Sequence, residues 1–219
     1  MFESSPSSVL PPLQIVDVRL DWQPQLLADP PVYDPEFRTR RRHFLDSCCW
    51  VDHVPGWLSG GDSVFEDLLA HAVWVQTTTK VWDQVRPEPR LTARWPGGNW
   101  PPVLETARRL LSKRYDIQFT SVGVNLYRDG SDSVAWHRDR IHRTLETPLV
   151  ATISLGATRQ FRMRPRDRTL PWSPLVLRPR SGDLIVTGGR CQQDWEHTVA
   201  KCADAKPRMA VTIRHVLGF

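Results

Sequence analysis

The chain has 219 residues, 40% of them hydrophobic and 24% charged, with a formal net charge of +5 at pH 7. That length suits one domain built on one core, no apolar run approaches the roughly 20 residues a membrane-spanning helix needs, and the start, MFESSPSSVLPPL, has neither the basic end nor the unbroken apolar stretch of a secretory signal. A cytoplasmic monomer without a membrane partner is the expectation. Residues 1–45 read as an extension, Ser- and Pro-rich at first, with a short strand over 13–20 and a basic run, Arg38-Thr39-Arg40-Arg41-Arg42, that reads as a solvated flank. From Asp62 the pattern turns helical: Val64, Leu68 and Ala72 recur at helical spacing beside Phe65, Leu69 and Val73, and Ser63-x-x-Glu66 has the form of a capping box. Residues 86–102, punctuated by Pro and Gly, read as a long loop carrying Arg90, Arg94, Trp95 and Trp100. A second helix is predicted over 103–113, its stripe formed by Val103, Ala107, Leu110 and Leu111.

After Tyr115 the texture changes to short β-branched or alternating segments separated by turn residues: 120–127, 150–155, 159–164, 175–178, 183–187, 197–200 and 208–216. Many short strands without intervening helices predict an α+β, mainly β fold, an antiparallel jelly-roll core with two N-terminal helices packed on it. Cys48, Cys49, Cys191 and Cys202 include no C-x-x-C spacing and read as reduced thiols. The basic balance suits an anionic partner such as nucleic acid. Only Lys80, Lys113, Lys201 and Lys206 are lysines, however, and a GC-rich coding sequence would produce the same arginine skew.

The chemistry concentrates in SVAWHRDRIH. Residues i and i+2 of a strand share a face, so His137 and Asp139 can point at one spot while Arg138 faces away. Two histidines with one carboxylate favour Fe(II) and leave other positions open. The third ligand must come from elsewhere: His197 is the choice, with His142 and His215 as rivals. A lone H-x-D is weak evidence, and the last strand strengthens it. In Arg208–Arg214 the odd positions Met209, Val211 and Ile213 are apolar, while the even positions carry Arg, Ala, Thr and Arg. Two guanidiniums on one face inside a barrel need an anion, and a dicarboxylate suits arginine's bidentate fork. In SVGVNLY, Asn125 and Tyr127 share a face and offer neutral donors to the same anion.

Taken together, N-x-Y (Asn125, Tyr127), Asp129-Gly130, H-x-D (His137, Asp139), the distant His197 and R-x-x-x-x-x-R (Arg208, Arg214) resemble the AlkB family of iron- and 2-oxoglutarate-dependent dioxygenases. SLGATRQFRMR, GDLIVTGG and PRLTARW look like parts of its core and nucleotide lid. The resemblance covers residues 46–219 as the dioxygenase domain, with the lid in 86–102, and implies a double-stranded β-helix fold. It implies that His137, Asp139 and His197 are the catalytic ligands of Fe(II), that Arg208 pairs with the distal carboxylate of 2-oxoglutarate, and that Arg214, Asn125 and Tyr127 help seat that cosubstrate. It further implies that O2 is consumed and that N-alkylated bases in DNA or RNA are demethylated in repair of alkylation damage, releasing formaldehyde and succinate. Trp95, Trp100, Trp136, Arg90 and Arg140 are then candidates for stacking on the base or touching phosphate. The chain departs from the family in three places. Ala210 stands where relatives usually have Asn, Ile141 stands where base-repairing relatives often have an acid, and the stretch between Trp95 and Trp100 is short. A 2-oxoglutarate oxygenase acting on tRNA, protein or a small molecule is the alternative within the class, and a non-catalytic nucleic-acid-binding module the alternative outside it.

Overall fold

The computed structural model describes residues 14–23, 29–81, 83–95, 98–139 and 145–215. In chain order the N-terminal part contains strands β1 (Gln14–Ile15), β2 (Val32–Tyr33), β3 (Arg41–Phe44), β4 (Cys49–Val54) and β5 (Leu58–Ser59), then helix α1 (Gly61–His71). Strands β6 (Val75–Gln76), β7 (Thr78–Val81), β8 (Gln84–Pro87) and β9 (Leu91–Arg94) lead to helix α2 (Pro102–Tyr115). The rest comprises β10 (Ser121–Tyr127), β11 (Val134–His137), β12 (Val150–Gly156), β13 (Phe161–Pro165), β14 (Leu175–Leu177), β15 (Leu184–Gly189), the single turn α3 (Cys191–Asp194), β16 (Trp195–Val199) and β17 (Arg208–Arg214).

Nine strands form one antiparallel sheet in the order β1-β6-β9-β10-β17-β12-β15-β4-β3, and four form a smaller one, β11-β16-β13-β14. Strand alternation sorts the large sheet's side chains onto two faces. Val122, Val124 and Leu126 of β10, Ala151, Ile153 and Leu155 of β12, and Met209, Val211 and Ile213 of β17 join a core cluster with Val64, Phe65 and Leu68 of α1 and Leu104, Ala107 and Leu111 of α2. The opposite face meets the small sheet, where Val51 and Ile185 pack with Phe161, Met163, Leu177 and Trp195. The molecule is therefore layered as helices, large sheet and small sheet, and the polar positions of β10, β12 and β17 point into the space between the sheets.

Several local features differ from the sequence expectations. Helix α1 begins at Gly61 behind Gly60, which takes a left-handed φ of 68° and gives no side-chain cap. The Ser63 hydroxyl donates to the Asp29 carbonyl, so Ser63 and Glu66 do not form a capping box. Helix α2 runs one residue earlier and two later than predicted, with proline in its first turn and Asp116 as a left-handed C-cap. The stretch 86–102 is not a single loop: Leu91 and Ala93 of β9 are buried in the large sheet. Likewise Arg41–Phe44, inside the segment read as an extension, pairs with β4 and edges that sheet. The basic run is not merely a solvated flank, because Arg42 forms a two-pronged pair with the fully buried Asp52 at 2.7 Å on each prong. Arg40 Nη1 lies 3.3 Å from the same carboxylate, to which the Tyr115 hydroxyl donates at 3.0 Å.

Two pins fix the loops that enter the inter-sheet space. Buried Arg159 donates to the carbonyls of Asp129 and Asp132 at 3.0 Å each and of Ala200 at 2.6 Å. Gly130 has no room for a side chain, since a Cβ there would lie 1.8 Å from the Cys202 carbonyl oxygen. At the other end, buried Asp183 accepts the N–H groups of Gly56 at 2.8 Å and Arg180 at 3.0 Å, and meets His53 Nε2 at 3.1 Å. Burial alone would raise its carboxyl, but the bonds from His53, Arg180 and Gly56 outweigh it and hold the group below the ordinary 3.8. A depressed folded-state value stabilises the fold above 3.8 and loses that contribution as pH falls through the lower folded value. Asp183→Ala is expected to cost about 3 kcal/mol at neutral pH. In urea midpoints measured against pH, the gap to wild type should close in acid.

Candidate active site

The site begins with a bulge. Strand β11 pairs with β16 so that Val134 opposes Val199 and His137 opposes His197, three steps on one strand against two on the other. Val134 and Val199 pack inward with Tyr127 and Ala210, and His197 lies two residues from Val199, hence on the same face. The extra residue in β11 brings His137 onto that face too and turns Trp136 outward. There the Arg164 guanidinium stacks 3.8 Å from the Trp136 ring. The sequence expectation of a regular strand through Asp139 is corrected accordingly: β11 ends at His137, and Asp139 reaches the site from the loop beyond it.

His137, Asp139 and His197 each offer a ligand atom, all within 4.8 Å of one another, and this is the one such group among the described residues. Asp139 Oδ1 lies 3.6 Å from His137 Nε2 and 3.7 Å from His197 Nε2, while its Oδ2 accepts from Arg214 Nε at 2.8 Å. The Ala135 carbonyl accepts from His137 Nδ1 at 2.9 Å, which leaves the Nε2 lone pair free to face the group. Burial pushes His197 down to about 4, against the pull of Asp139, so its imidazole is neutral at physiological pH. Burial would raise the Asp139 carboxyl, yet Arg214 and then the two histidines hold it well below the usual carboxylate range. Two imidazoles and an ionised carboxylate form a donor set that fits Fe(II). His142 lies outside the described residues, and His215 stands apart from the group, its N–H donating to the Leu149 carbonyl at 3.0 Å.

Along β17, register places Arg208 between Tyr127 and Gly156, Ala210 between Asn125 and Ser154, and Arg214 between Ser121 and Val150. Arg208 is 1% exposed. Its Nη2 donates to the Ser154 hydroxyl at 3.0 Å, and its Nε and Nη1 have no partner among the described residues. A buried guanidinium stays charged, so these donors define an anion-shaped demand on the inner face of β17. The Tyr127 ring lies 5.4 Å from the Arg208 guanidinium carbon. Burial raises the Tyr127 phenol and keeps it a neutral donor. The cosubstrate residues expected from sequence thus share one inner face.

The expected substrate contacts do not gather in the same way. Trp136 stands on the outer face of the small sheet, and Trp95 and Trp100 pack against the helix-side core. Arg90 is closer to the site, its charge acting on the Tyr127 phenol, but its Nη2 pairs with Glu88 at 2.8 Å. Arg140 and Ile141 lie outside the described residues. Three contacts escaped the sequence reading: Ser154 on Arg208, Arg159 at the loops, and Gln192, whose Oε1 accepts the Asp139 N–H at 3.0 Å. Only Ser154 had a signal, its inward position in the alternation of β12.

Comparison with known proteins agrees with this geometry. The family model described as the 2OG-Fe(II) oxygenase superfamily matches residues 20–214. Alpha-ketoglutarate-dependent dioxygenase alkB homolog 3 of Bos taurus is 34% identical over 184 residues, covering 74% of this chain and 64% of the bovine protein. The Homo sapiens protein of the same name is 32% identical, with 71% and 61% covered. The DNA oxidative demethylase ALKBH2 of Arabidopsis thaliana is 28% identical, with 70% and 61% covered. The chain thus spans less than two thirds of the length of these curated relatives. Among solved structures, OsALKBH1 aligns with a TM-score of 0.56 at 14% identity, over 80% of this chain and 100% of that one. A prolyl hydroxylase from Trichoplax adhaerens aligns at 0.53 and 14% identity, over 76% of this chain and 83% of that one. At such identities the likeness is one of fold, the jelly roll of these oxygenases. With the triad, the buried arginine and a family match running from residue 20 to 214, the chain belongs to the 2OG-Fe(II) oxygenase superfamily and is AlkB-like within it.

Proposed function

We propose that this chain is an Fe(II)- and 2-oxoglutarate-dependent dioxygenase that oxidatively demethylates N-alkylated bases in nucleic acid. The observation that carries the reading is Arg208, wholly buried with two unpartnered donors, on the same inner face as a His-Asp-His group. A lone buried cation is costly. A dicarboxylate relieves that cost at one end while its 2-oxo acid end can chelate a metal. The polymer substrate is supported by the relatives, among them proteins named DNA oxidative demethylase, and by the net charge of +5.

In this reading His137, Asp139 and His197 hold Fe(II). When bound, Fe(II) with O2 and 2-oxoglutarate supplies the oxidation: one oxygen atom enters succinate as CO2 leaves, and the other reaches the N-methyl carbon, whose hemiaminal breaks into free base and formaldehyde. The chain's own side chains do the arranging. Arg208 anchors the distal carboxylate, and Tyr127 and Asn125 offer neutral donors to the diacid. Arg214 holds Asp139 as a carboxylate, and the Ala135 carbonyl orients the His137 ring. The methylated base would leave its stack to enter the space between the sheets.

Purified protein given Fe(II), ascorbate and 2-oxoglutarate is expected to release formaldehyde from methylated oligonucleotides, and His137→Ala to release none. Absence of formaldehyde from every methylated DNA and RNA tested, beside an active control enzyme, would reject the reading. Arg208→Gln should raise the KM for 2-oxoglutarate by about 30-fold or more, since truncating one partner of a buried ion pair costs roughly 2–5 kcal/mol. The KM for oligonucleotide should change little. Comparable changes in both constants would place Arg208 outside the cosubstrate pocket.

A further inference from the structure

We propose that Gln192 is a positioning residue of the metal centre, its side-chain amide fixing Asp139 through that residue's own peptide. The proposal rests on reading His137, Asp139 and His197 as ligands. Because β11 ends at His137, no ladder bond holds the Asp139 backbone. Its N–H donates instead to Gln192 Oε1 at 3.0 Å.

The amide can face only one way. A backbone N–H donates and never accepts, so the oxygen of Gln192 must meet Asp139. The nitrogen then donates to Thr187 Oγ1 at 3.1 Å, and the Thr187 hydroxyl passes its own proton to the Val150 carbonyl at 3.4 Å. Gln192, Thr187 and Val150 are all buried, so water does not offer an alternative partner to any of them. The result is a one-directional relay from the loop bearing a ligand to the middle of the large sheet, and buried relays of this kind confer rigidity when every member is satisfied.

Gln192 is well seated to do this. It lies in α3, which runs directly into β16 and His197. The adjoining Trp195 is buried and donates its indole N–H to Asp46 at 2.6 Å. The group that orients one ligand therefore lies five positions along the chain from another ligand. The neighbour Gln193 bonds elsewhere: its Nε2 donates to the carbonyls of Leu145 at 3.2 Å and Glu146 at 3.0 Å, and its carbonyl accepts from Arg138 at 3.2 Å. None of those bonds touches the peptide of Asp139. If the Gln192 bond is lost, Arg214, already 2.8 Å from Oδ2, can draw the carboxylate away from the imidazoles. A misplacement of about 1 Å is enough to weaken such a site.

The test titrates metal-free protein with Co(II) and reads its ligand-field absorption. Gln192→Leu should weaken Co(II) binding by about 10-fold to 100-fold, the usual effect of losing a group that orients a ligand, and should change the band shape. Thr187→Val should shift affinity the same way by less, and the double variant should bind no more weakly than Gln192→Leu alone. Gln193→Ala, which breaks the bonds to the Leu145 and Glu146 carbonyls, should bind close to wild type. Melting of the metal-free variants separates loss of fold from loss of the site, and Thr187→Val, with its smaller change, carries the test if Gln192→Leu does not fold. Wild-type affinity in Gln192→Leu, or an equal loss in Gln193→Ala, would overturn the proposal. Wild type binding Co(II) no better than His137→Ala would instead bring down the ligand assignment, and this proposal with it.

Discussion

Two guanidiniums on one strand face, one closed off from water and the other half-buried, constrain everything around them. Arg208 and Arg214 lie six residues apart on β17 and so point the same way into the space between the sheets. The protein answers them unequally. Arg214 meets the Asp139 carboxylate at 2.8 Å, which joins the cationic strand to the His-Asp-His group. Arg208 has only neutral partners near it, the Ser154 hydroxyl to which its Nη2 donates and the Tyr127 ring, and among the described residues two of its donors stay open. Since an uncompensated buried charge costs several kcal/mol, the fold carries an internal demand for an anion at one end of β17 and has already met it at the other. An anion bound at Arg208 would relieve that demand and so stabilise the folded chain.

Such a polar interior is tolerable because the apolar cores lie elsewhere. The helix-side cluster takes the odd positions of β17 and their neighbours on β10 and β12, and the second cluster closes the far end of the sandwich around Trp195. Strand alternation makes the division automatic: each strand spends alternate residues on stability and on chemistry. The same rule explains why Ala210 is tolerated. It lies between Asn125 and Ser154 in register, so the polar groups next to it on either side remain directed inward.

How much was legible in the sequence follows from the range of each interaction. The inward face of β10 and β17 could be read because alternation is local, and His197 as the third member of the group because it opens a short β-like run. The bulge in β11 could not, since it arises from pairing with β16 and has no residue signature; the H-x-D spacing picked out side chains that the structure does bring together, through the wrong backbone geometry. Trp95 and Trp100 illustrate an ambiguity that the sequence leaves open. An aromatic side chain looks equally suited to stacking on a base and to filling a core, and only the packing distinguishes them. Arg42 was read as solvated because its partner, Asp52, lies across a hairpin, and Gln192 gave no hint because the peptide it holds is 53 residues away.

Asp139 is the point where these constraints meet, and its place outside the strand is what allows it. A strand residue has its direction set by the ladder and serves one face. Asp139, beyond the end of β11, divides its two oxygens, turning Oδ1 toward both imidazoles and giving Oδ2 to Arg214. With Oδ2 already engaged, the carboxylate has one oxygen left for a metal, so the protein supplies three donor atoms rather than four. Three donors from two histidines and a carboxylate are what an oxygenase needs in order to leave room for cosubstrate and O2. The arginine that anchors the carboxylate therefore also limits how many positions the protein can fill, and the openness of the site follows from an ion pair on its inner wall.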